Sequence, residues 1–94
     1  MIEVKRTARS DLLEFDVVVR EGKGETRHRV TMATETCERL VAGKHFPERV
    51  VEAAFRFLLD REAKESILSA FDVTVISRYF PEFEKELPRY LAQC

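Results

Sequence analysis

Apolar and polar positions alternate along the first third of the chain. Every second side chain is apolar in residues 13–19, and a similar alternation returns in residues 26–32. A period of two is typical of a β-strand with one buried face, and both segments are rich in β-branched residues. The connection Glu21–Gly24 contains two glycines and has the length of a hairpin loop. The pattern therefore predicts two antiparallel strands joined by a hairpin.

A third strand is predicted before this hairpin. Ile2 and Val4 indicate a short first strand, and Ser10 and Asp11 form the turn that leads out of it. Residues 1–33 thus predict a three-stranded antiparallel meander. Its inner face would consist of five apolar side chains: Phe15, Val17, Val19, Val30 and Met32. Helices must cover that face, because a single sheet layer cannot bury it.

Residues 34–42 predict a short helix, since the apolar period changes to that of a helix after the last strand. Thr34 or Thr36 can act as its N-cap, and Gly43 marks its end. Cys37 falls on its apolar side, where a free cysteine usually acts as a small hydrophobic residue.

The main helix is predicted over residues 47–64. Pro47 fits its first turn, where a missing N–H costs nothing. One side carries a broad apolar stripe, formed by Val51, Ala54, Phe55, Leu58 and Leu59. The opposite side carries charges of alternating sign at four-residue spacing: Glu52, Arg56, Asp60 and Lys64. Such pairs contribute only about 0.3–0.5 kcal/mol each, so they indicate a solvated helix face.

Two short helical pieces are predicted after the main helix. Ser66 can cap a turn that contains Ile67, Leu68 and Phe71. Asp72 can cap a second piece over residues 73–80, which ends before Pro81 because the residue before a proline avoids the α region. Val73–Ile76 could equally form a strand by propensity, so helix is favoured there but strand stays open.

A final amphipathic helix is predicted over residues 83–91, with a kink or a break at Pro88. The predicted fold class is α+β: an N-terminal three-stranded antiparallel sheet followed by, and packed against, four to five helices. We expect one domain over residues 1–94, with a β-meander in 1–33 and a helical part in 34–94.

Composition and charge point to no particular partner. The chain has 94 residues, and 16 basic and 17 acidic side chains give a net charge of −1. A surface that binds polyanions in general would need a clearer excess of basic residues. The longest apolar runs are three residues, and the first residues lack the apolar segment of a signal peptide. We therefore expect no membrane association and a cytoplasmic location.

Few residues are suited to metal binding or to nucleophilic catalysis. His28, His45, Cys37 and Cys94 do not show the clustered spacing of metal ligands. Cys37 with His45 or His28 is the only conceivable nucleophile–base pair, but a buried, inert thiol is the favoured interpretation. No glycine-rich phosphate loop is present. The sequence predicts no metal, no cofactor and no enzymatic activity.

A cluster of large apolar residues lies towards the end of the chain: Phe80, Phe83, Leu87 and Tyr90. Packing in the core is the default interpretation of this cluster. The alternative is a homodimer interface, because aromatic residues are enriched at such surfaces.

One local pattern suggests a DNA-binding function. A strand-like segment, a helix, a turn at Gly43–His45 and a longer helix follow one another over residues 27–64. This order resembles that of the ribbon-helix-helix repressors. The resemblance implies a ribbon of two strands, one per subunit, that enters the DNA major groove. Arg27, Arg29 and Thr31 would then be the outward residues that read the bases.

A second resemblance covers residues 26–86. The segments 54–62, 66–68, 71–72 and 76–82 are similar to those of a small family of uncharacterised bacterial proteins. That resemblance implies a bacterial cytosolic origin and no assigned activity. The function we expect is a non-catalytic protein-interaction module that self-associates, most simply as a dimer. The alternative is a small DNA-binding transcriptional regulator of the ribbon-helix-helix type.

Overall fold

The structure is a computed structural model that describes residues 1–8, 12–41 and 46–92. Some of the sequence predictions concern residues outside these ranges: the turn at Ser10–Asp11, the helix end at Gly43, and His45 and Cys94. The α+β class is confirmed. Within the described ranges there are four strands and four α-helices: β1 (Ile2–Ala8), β2 (Leu12–Glu21), β3 (Gly24–Ala33), α1 (Thr34–Val41), α2 (Pro47–Leu59), β4 (Ala70–Asp72), α3 (Ile76–Tyr79) and α4 (Phe83–Ala92).

The sheet has the strand order β1-β2-β3-β4, and its first three strands are antiparallel as predicted. The fourth strand was not predicted. Strand β4 runs parallel to β3, and its residues 70–72 pair with residues 29–31 of β3. The prediction of a three-stranded antiparallel sheet is therefore corrected to a four-stranded mixed sheet. Three residues are too few to show a period, so only pairing with β3 identifies them as a strand.

A two-residue loop joins β2 to β3, with Glu21 paired to Gly24. Gly22 has a φ of 59°, the left-handed backbone conformation that tight hairpin turns require and that glycine adopts without strain. Gly24 is in close contact with a neighbouring side chain. A Cβ at this position would lie 3.2 Å from Lys64 Nζ, so a larger residue would require the end of that flexible side chain to move by a few tenths of an ångström.

The core lies between the inner face of the sheet and the helices. All five predicted inner-face residues are at most 1% exposed, which confirms the strand alternation. Helix α2 covers this face and buries seven of its thirteen residues, with Phe55 and Phe57 fully buried. Helix α4 packs against α2 from the other side. This two-sided cover explains why α2 is apolar over more than one stripe.

Helix α2 ends at Leu59, and the predicted continuation to Lys64 is wrong. The amide groups of Asp60 and Arg61 bond back to the carbonyls of Arg56 and Leu58, which closes the last turn. Of the predicted charge ladder, Glu52–Arg56 forms an ion pair at 3.0 Å. Lys64 belongs to a separate 3₁₀ turn, Lys64–Ser66, and pairs with Glu65 at 2.8 Å. The regular spacing of charges continued past the helix end, and no Gly or Pro marks that end in the sequence.

Residues 73–79 are helical, which agrees with the helix that the sequence analysis favoured over a strand. The Asp72 carboxylate accepts a hydrogen bond from the Thr74 amide at 3.0 Å and caps a 3₁₀ turn that leads into α3. The predicted helical turn capped by Ser66 is wrong, because Ser66 ends its 3₁₀ turn and Ile67 is extended. Helix α4 runs through Pro88 without the predicted break. No helix among the described residues is long and apolar enough to span a bilayer.

Candidate functional site

The open face of the sheet, on the side away from the helices, carries Arg27, Arg29 and Thr31. Arg29 forms an ion pair at 3.2 Å with Asp16, its direct partner on β2. Arg27 pairs with Glu25 at 3.0 Å on its own strand. The Thr31 hydroxyl donates a 2.7 Å hydrogen bond to the Asp72 carboxylate on β4. All three residues predicted to contact nucleic acid therefore already have acidic partners.

Strand β3 is also enclosed where these residues lie. It pairs with β2 along its whole length and with β4 at residues 29–31. A ribbon formed with a second subunit needs a strand edge that is free. That edge is occupied at Arg29 and Thr31 by residues of the same chain.

Further charges on the same face are paired as well. Arg20 donates to Glu3 at 2.6 Å and to Glu25 at 3.0 Å. The hydrogen bond that Arg20 donates to Glu3 raises the pKa of Arg20, and the one that Glu25 accepts from Arg20 lowers the pKa of Glu25. Cross-strand pairs of opposite charge are a normal means of holding a solvated sheet face together. The open face is thus a network of mixed charge.

The predicted interface cluster lies mostly in the core. Phe83, Leu87 and Tyr90 are at most 3% exposed within one chain, and Phe80 is half-buried. Three of the four form the surroundings of Phe57: the rings of Phe80, Phe83 and Tyr90 lie 5.1–5.9 Å from its ring, in edge-on orientations typical of aromatic packing. Phe83, Leu87 and Tyr90 therefore have little surface to offer a partner.

An apolar recess of about 210 Å³ lies next to this cluster, beside β4. We call it the β4 groove. Its walls are formed by the end of α2, the segment before β4 and helix α3. The apolar lining residues are Leu58, Ile67, Phe71, Val75, Ile76 and Phe80, and two polar residues, Glu62 and Ser66, also line it. Two further lining residues are strongly exposed, Leu68 at 48% and Tyr79 at 67%. An apolar recess with protruding apolar side chains is an uncommon surface for a small protein that has no partner.

Hydrogen bonds of His28 hold one wall of the β4 groove in place. His28 is 5% exposed and lies 5.2 Å from the Phe55 ring. Its Nδ1 lies 2.8 Å from the carbonyl oxygen of Leu68, which can only accept, so Nδ1 carries a proton and donates it. In the neutral ring Nε2 then accepts from the Thr26 hydroxyl at 2.9 Å. His28 is an inward residue bonded to backbone, as its place in the alternation indicated.

Sequence reasoning did not single out Leu68 or Tyr79, although each carried a signal. Ile67 and Leu68 are adjacent, and neighbouring residues of an extended segment point to opposite sides. Tyr79 lies beside Phe80 on a helix whose inward positions are Ile76 and Phe80. In both cases a hydrophobic residue lies next to a buried hydrophobic residue but on a different side of the segment. A residue in such a position is a candidate for an exposed contact.

Chemistry at the cysteine receives no support from its surroundings. Burial raises the pKa of the Cys37 thiol, which keeps it in the protonated, weakly nucleophilic form at neutral pH. His45, the alternative partner predicted for Cys37, lies outside the described residues. Among the described ranges, no three His, Cys, Asp or Glu side chains are grouped in a way that could hold a metal ion.

Comparison with known proteins adds no relative to this picture. No protein-family model matches the chain, and neither a curated protein nor a solved structure is significantly similar to it.

Proposed function

We propose that this protein is a non-catalytic interaction module that forms a homodimer through the β4 groove. The observation that carries the proposal is the presence, on one small surface, of both a recess and a protruding aromatic residue. Tyr79 is 67% exposed, and the recess beside it measures about 210 Å³. An apolar cavity of about 150 Å³ is enough to hold a benzene ring.

A second copy of the chain is the occupant that fits this arrangement. In a two-fold interface the same patch occurs on both subunits, so each copy must supply both the protruding and the receiving element. The β4 groove supplies both, since Tyr79 or Leu68 of one copy can enter the recess of the other. The area buried would include the exposed side chains of Leu68 and Tyr79, the two large hydrophobic residues of the groove that are most accessible to solvent.

The interior chemistry supports the non-catalytic part of the proposal. Both ring nitrogens of His28 are used in structural hydrogen bonds. Burial raises the pKa of Cys37, the candidate nucleophile, so its thiol is protonated and weakly nucleophilic at neutral pH.

The test is the oligomeric state of the purified chain, measured by sedimentation velocity from about 1 to 300 μM, a range that covers weak dimers. We expect a dimer whose dissociation constant lies in that range. Tyr79→Glu should shift the chain to monomer, because it places a charge against an apolar recess. Phe46→Glu is the matched control: Phe46 is 75% exposed but lies away from the groove, so this variant should dimerise like the parent.

Circular dichroism establishes that both variants are folded. A parent chain that remains monomeric at 300 μM would contradict the proposal. So would a Tyr79→Glu variant that dimerises with the parent's affinity.

A further inference from the structure

Strand β1 forms one edge of the sheet, and part of its backbone is free to bind another strand. Met1 and Arg20 exchange two hydrogen bonds, 2.8 and 2.7 Å long. In an antiparallel pair bonded residues alternate with non-bonded ones, so Glu3 and Lys5 bond to β2 as well. The amide and carbonyl groups of the intervening residues, Ile2, Val4 and Arg6, therefore point away from β2. Within residues 1–8, 12–41 and 46–92, no strand lies beyond β1 in the sheet.

A wide cleft of about 960 Å³ runs beside this edge. We call it the edge cleft. One wall is β1 at residues 4–7, and the other is the beginning of α2 with Glu48 and Arg49. Phe46, 75% exposed, also lines it. A strand added to β1 would place its inward side chains against these residues and would continue the core layer outward.

The edge cleft has an excess of positive charge on a chain whose net charge is −1. Its lining includes Lys5, Arg6 and Arg49 against a single acidic residue, Glu48. Arg6 and Glu48 pair at 3.1 Å. Lys5 and Arg49 are exposed, and neither side chain has an ion-pair partner within the part of the chain that the structure describes.

Arg6 adds an unmet hydrogen-bond donor. Its Nε is buried and has no acceptor, the one such side-chain atom among the described residues. A buried donor without an acceptor costs about 1–3 kcal/mol, so an acceptor brought close to Arg6 would be favoured.

We propose that the free edge of β1 binds an extended acidic peptide segment as a fifth strand. The backbone of Ile2, Val4 and Arg6 would supply the hydrogen bonds, as in other cases where a peptide extends a sheet. Lys5 and Arg49 would select acidic side chains. The register shift between Arg6 and Ala8 limits the usable edge to about five residues, Ile2 to Arg6.

A second copy of the chain is the less suitable partner for this edge. Pairing the Ile2–Arg6 segments of two copies around a two-fold axis would place Val4 opposite Val4 and Lys5 opposite Glu3, which gives Lys5 an acidic neighbour but provides none for Arg49. Lysine on an edge strand is a known protection against such self-pairing. The acidic peptide meets the same charges favourably.

The probe is a fluorescein-labelled peptide of seven residues in which glutamate and valine alternate, measured by fluorescence anisotropy. We expect it to bind and expect the corresponding lysine–valine peptide not to bind. Two N-methylated versions test the strand geometry, one methylated at every valine amide and one at every glutamate amide. Alternate residues of a strand face one edge, so one version should bind like the parent peptide and the other should lose binding.

Arg49→Glu and Lys5→Glu test the charge on the helix side and on the open side of the edge, respectively. All glutamates of the alternating peptide lie on one face, so we expect one of the two variants to weaken binding about tenfold or more. Lys85→Glu is the matched control, since Lys85 is an exposed residue of helix α4, which packs against α2 rather than against β1, and the charge change is the same. In hydrogen exchange, bound peptide should slow the amides of Val4 and Arg6.

Three results would overturn the proposal: no binding at millimolar peptide, equal binding of the lysine peptide, or equal loss from both N-methylated peptides. The outcome is independent of the proposed dimer, because Tyr79→Glu alters a different surface. That variant should bind the acidic peptide with unchanged affinity, whether or not the parent chain dimerises.

Discussion

Phe55 lies where the sheet, the main helix and the fourth strand meet. It is fully buried, and its ring lies 5.2 Å from that of His28 on β3 and 6.0 Å from that of Phe71 on β4. Phe55→Ala should lower the free energy of unfolding by about 3–5 kcal/mol, because it removes buried apolar area and leaves a cavity between three elements. Urea denaturation followed by circular dichroism measures the loss. The control is Phe46→Ala, at an exposed position, which should change the free energy of unfolding by less than about 0.5 kcal/mol. A loss of similar size in both variants would show that burial is not the cause.

At the scale of single residues, burial was predictable wherever a period extended over several positions. Phe15, Val17 and Val30 were assigned inward from alternation alone, and all are at most 1% exposed. Leu68 and Tyr79 were not identified as contact residues, because Leu68 was assigned to a helical turn rather than to an extended segment, and Tyr79 is a single residue beside a short apolar stripe. The edge cleft was not predictable either, since Lys5 and Arg49 come together only when α2 packs beside β1.

At the scale of elements, helix α4 contains a residue that is unfavourable inside a helix. Pro88 lies inside the helix and cannot donate the hydrogen bond to residue 84, yet the helix continues to Ala92. It is exposed, so its side chain adds little packing in return. Pro88→Ala should raise the free energy of unfolding by about 1–3 kcal/mol, the range set by helix propensity. Lys85→Ala, at another exposed position of α4, is the control and should be nearly neutral. A Pro88→Ala variant no more stable than the parent would mean that the proline is better accommodated than its geometry implies.

The elements that sequence analysis missed share a physical cause. Strand β4 depends on pairing with β3, and the end of α2 depends on a local turn that bonds to Arg56 and Leu58. Neither depends on a repeated pattern of side chains. The charges that follow Leu59 keep a helical spacing, although the chain has left the helix by then.

At the scale of the whole molecule, the distribution of charge argues against general binding to DNA. Each phosphate neutralised by a protein contributes about −0.9 to the slope of log affinity against log salt. Neutralising phosphates requires basic side chains that are not already paired with acidic ones. Arg27 and Arg29 are paired with Glu25 and Asp16 instead. We expect no binding of random duplex DNA at about micromolar protein and physiological salt. A gel shift under those conditions that Arg27→Ala/Arg29→Ala abolishes would favour the DNA-binding alternative.

Pairing between β3 and β4 also has a consequence for the order in which the chain folds. Strands β1 to β3 are joined by short connections, so their contacts form at little entropic cost. Thr31 and Asp72, which bond across the β3–β4 pair, are 41 positions apart. Closing that distance is slow until helix α2 has shortened the path between them, because contacts between distant positions limit folding rates. We therefore expect the antiparallel meander to form before the β3–β4 pair, with its apolar face exposed until the helices pack on it.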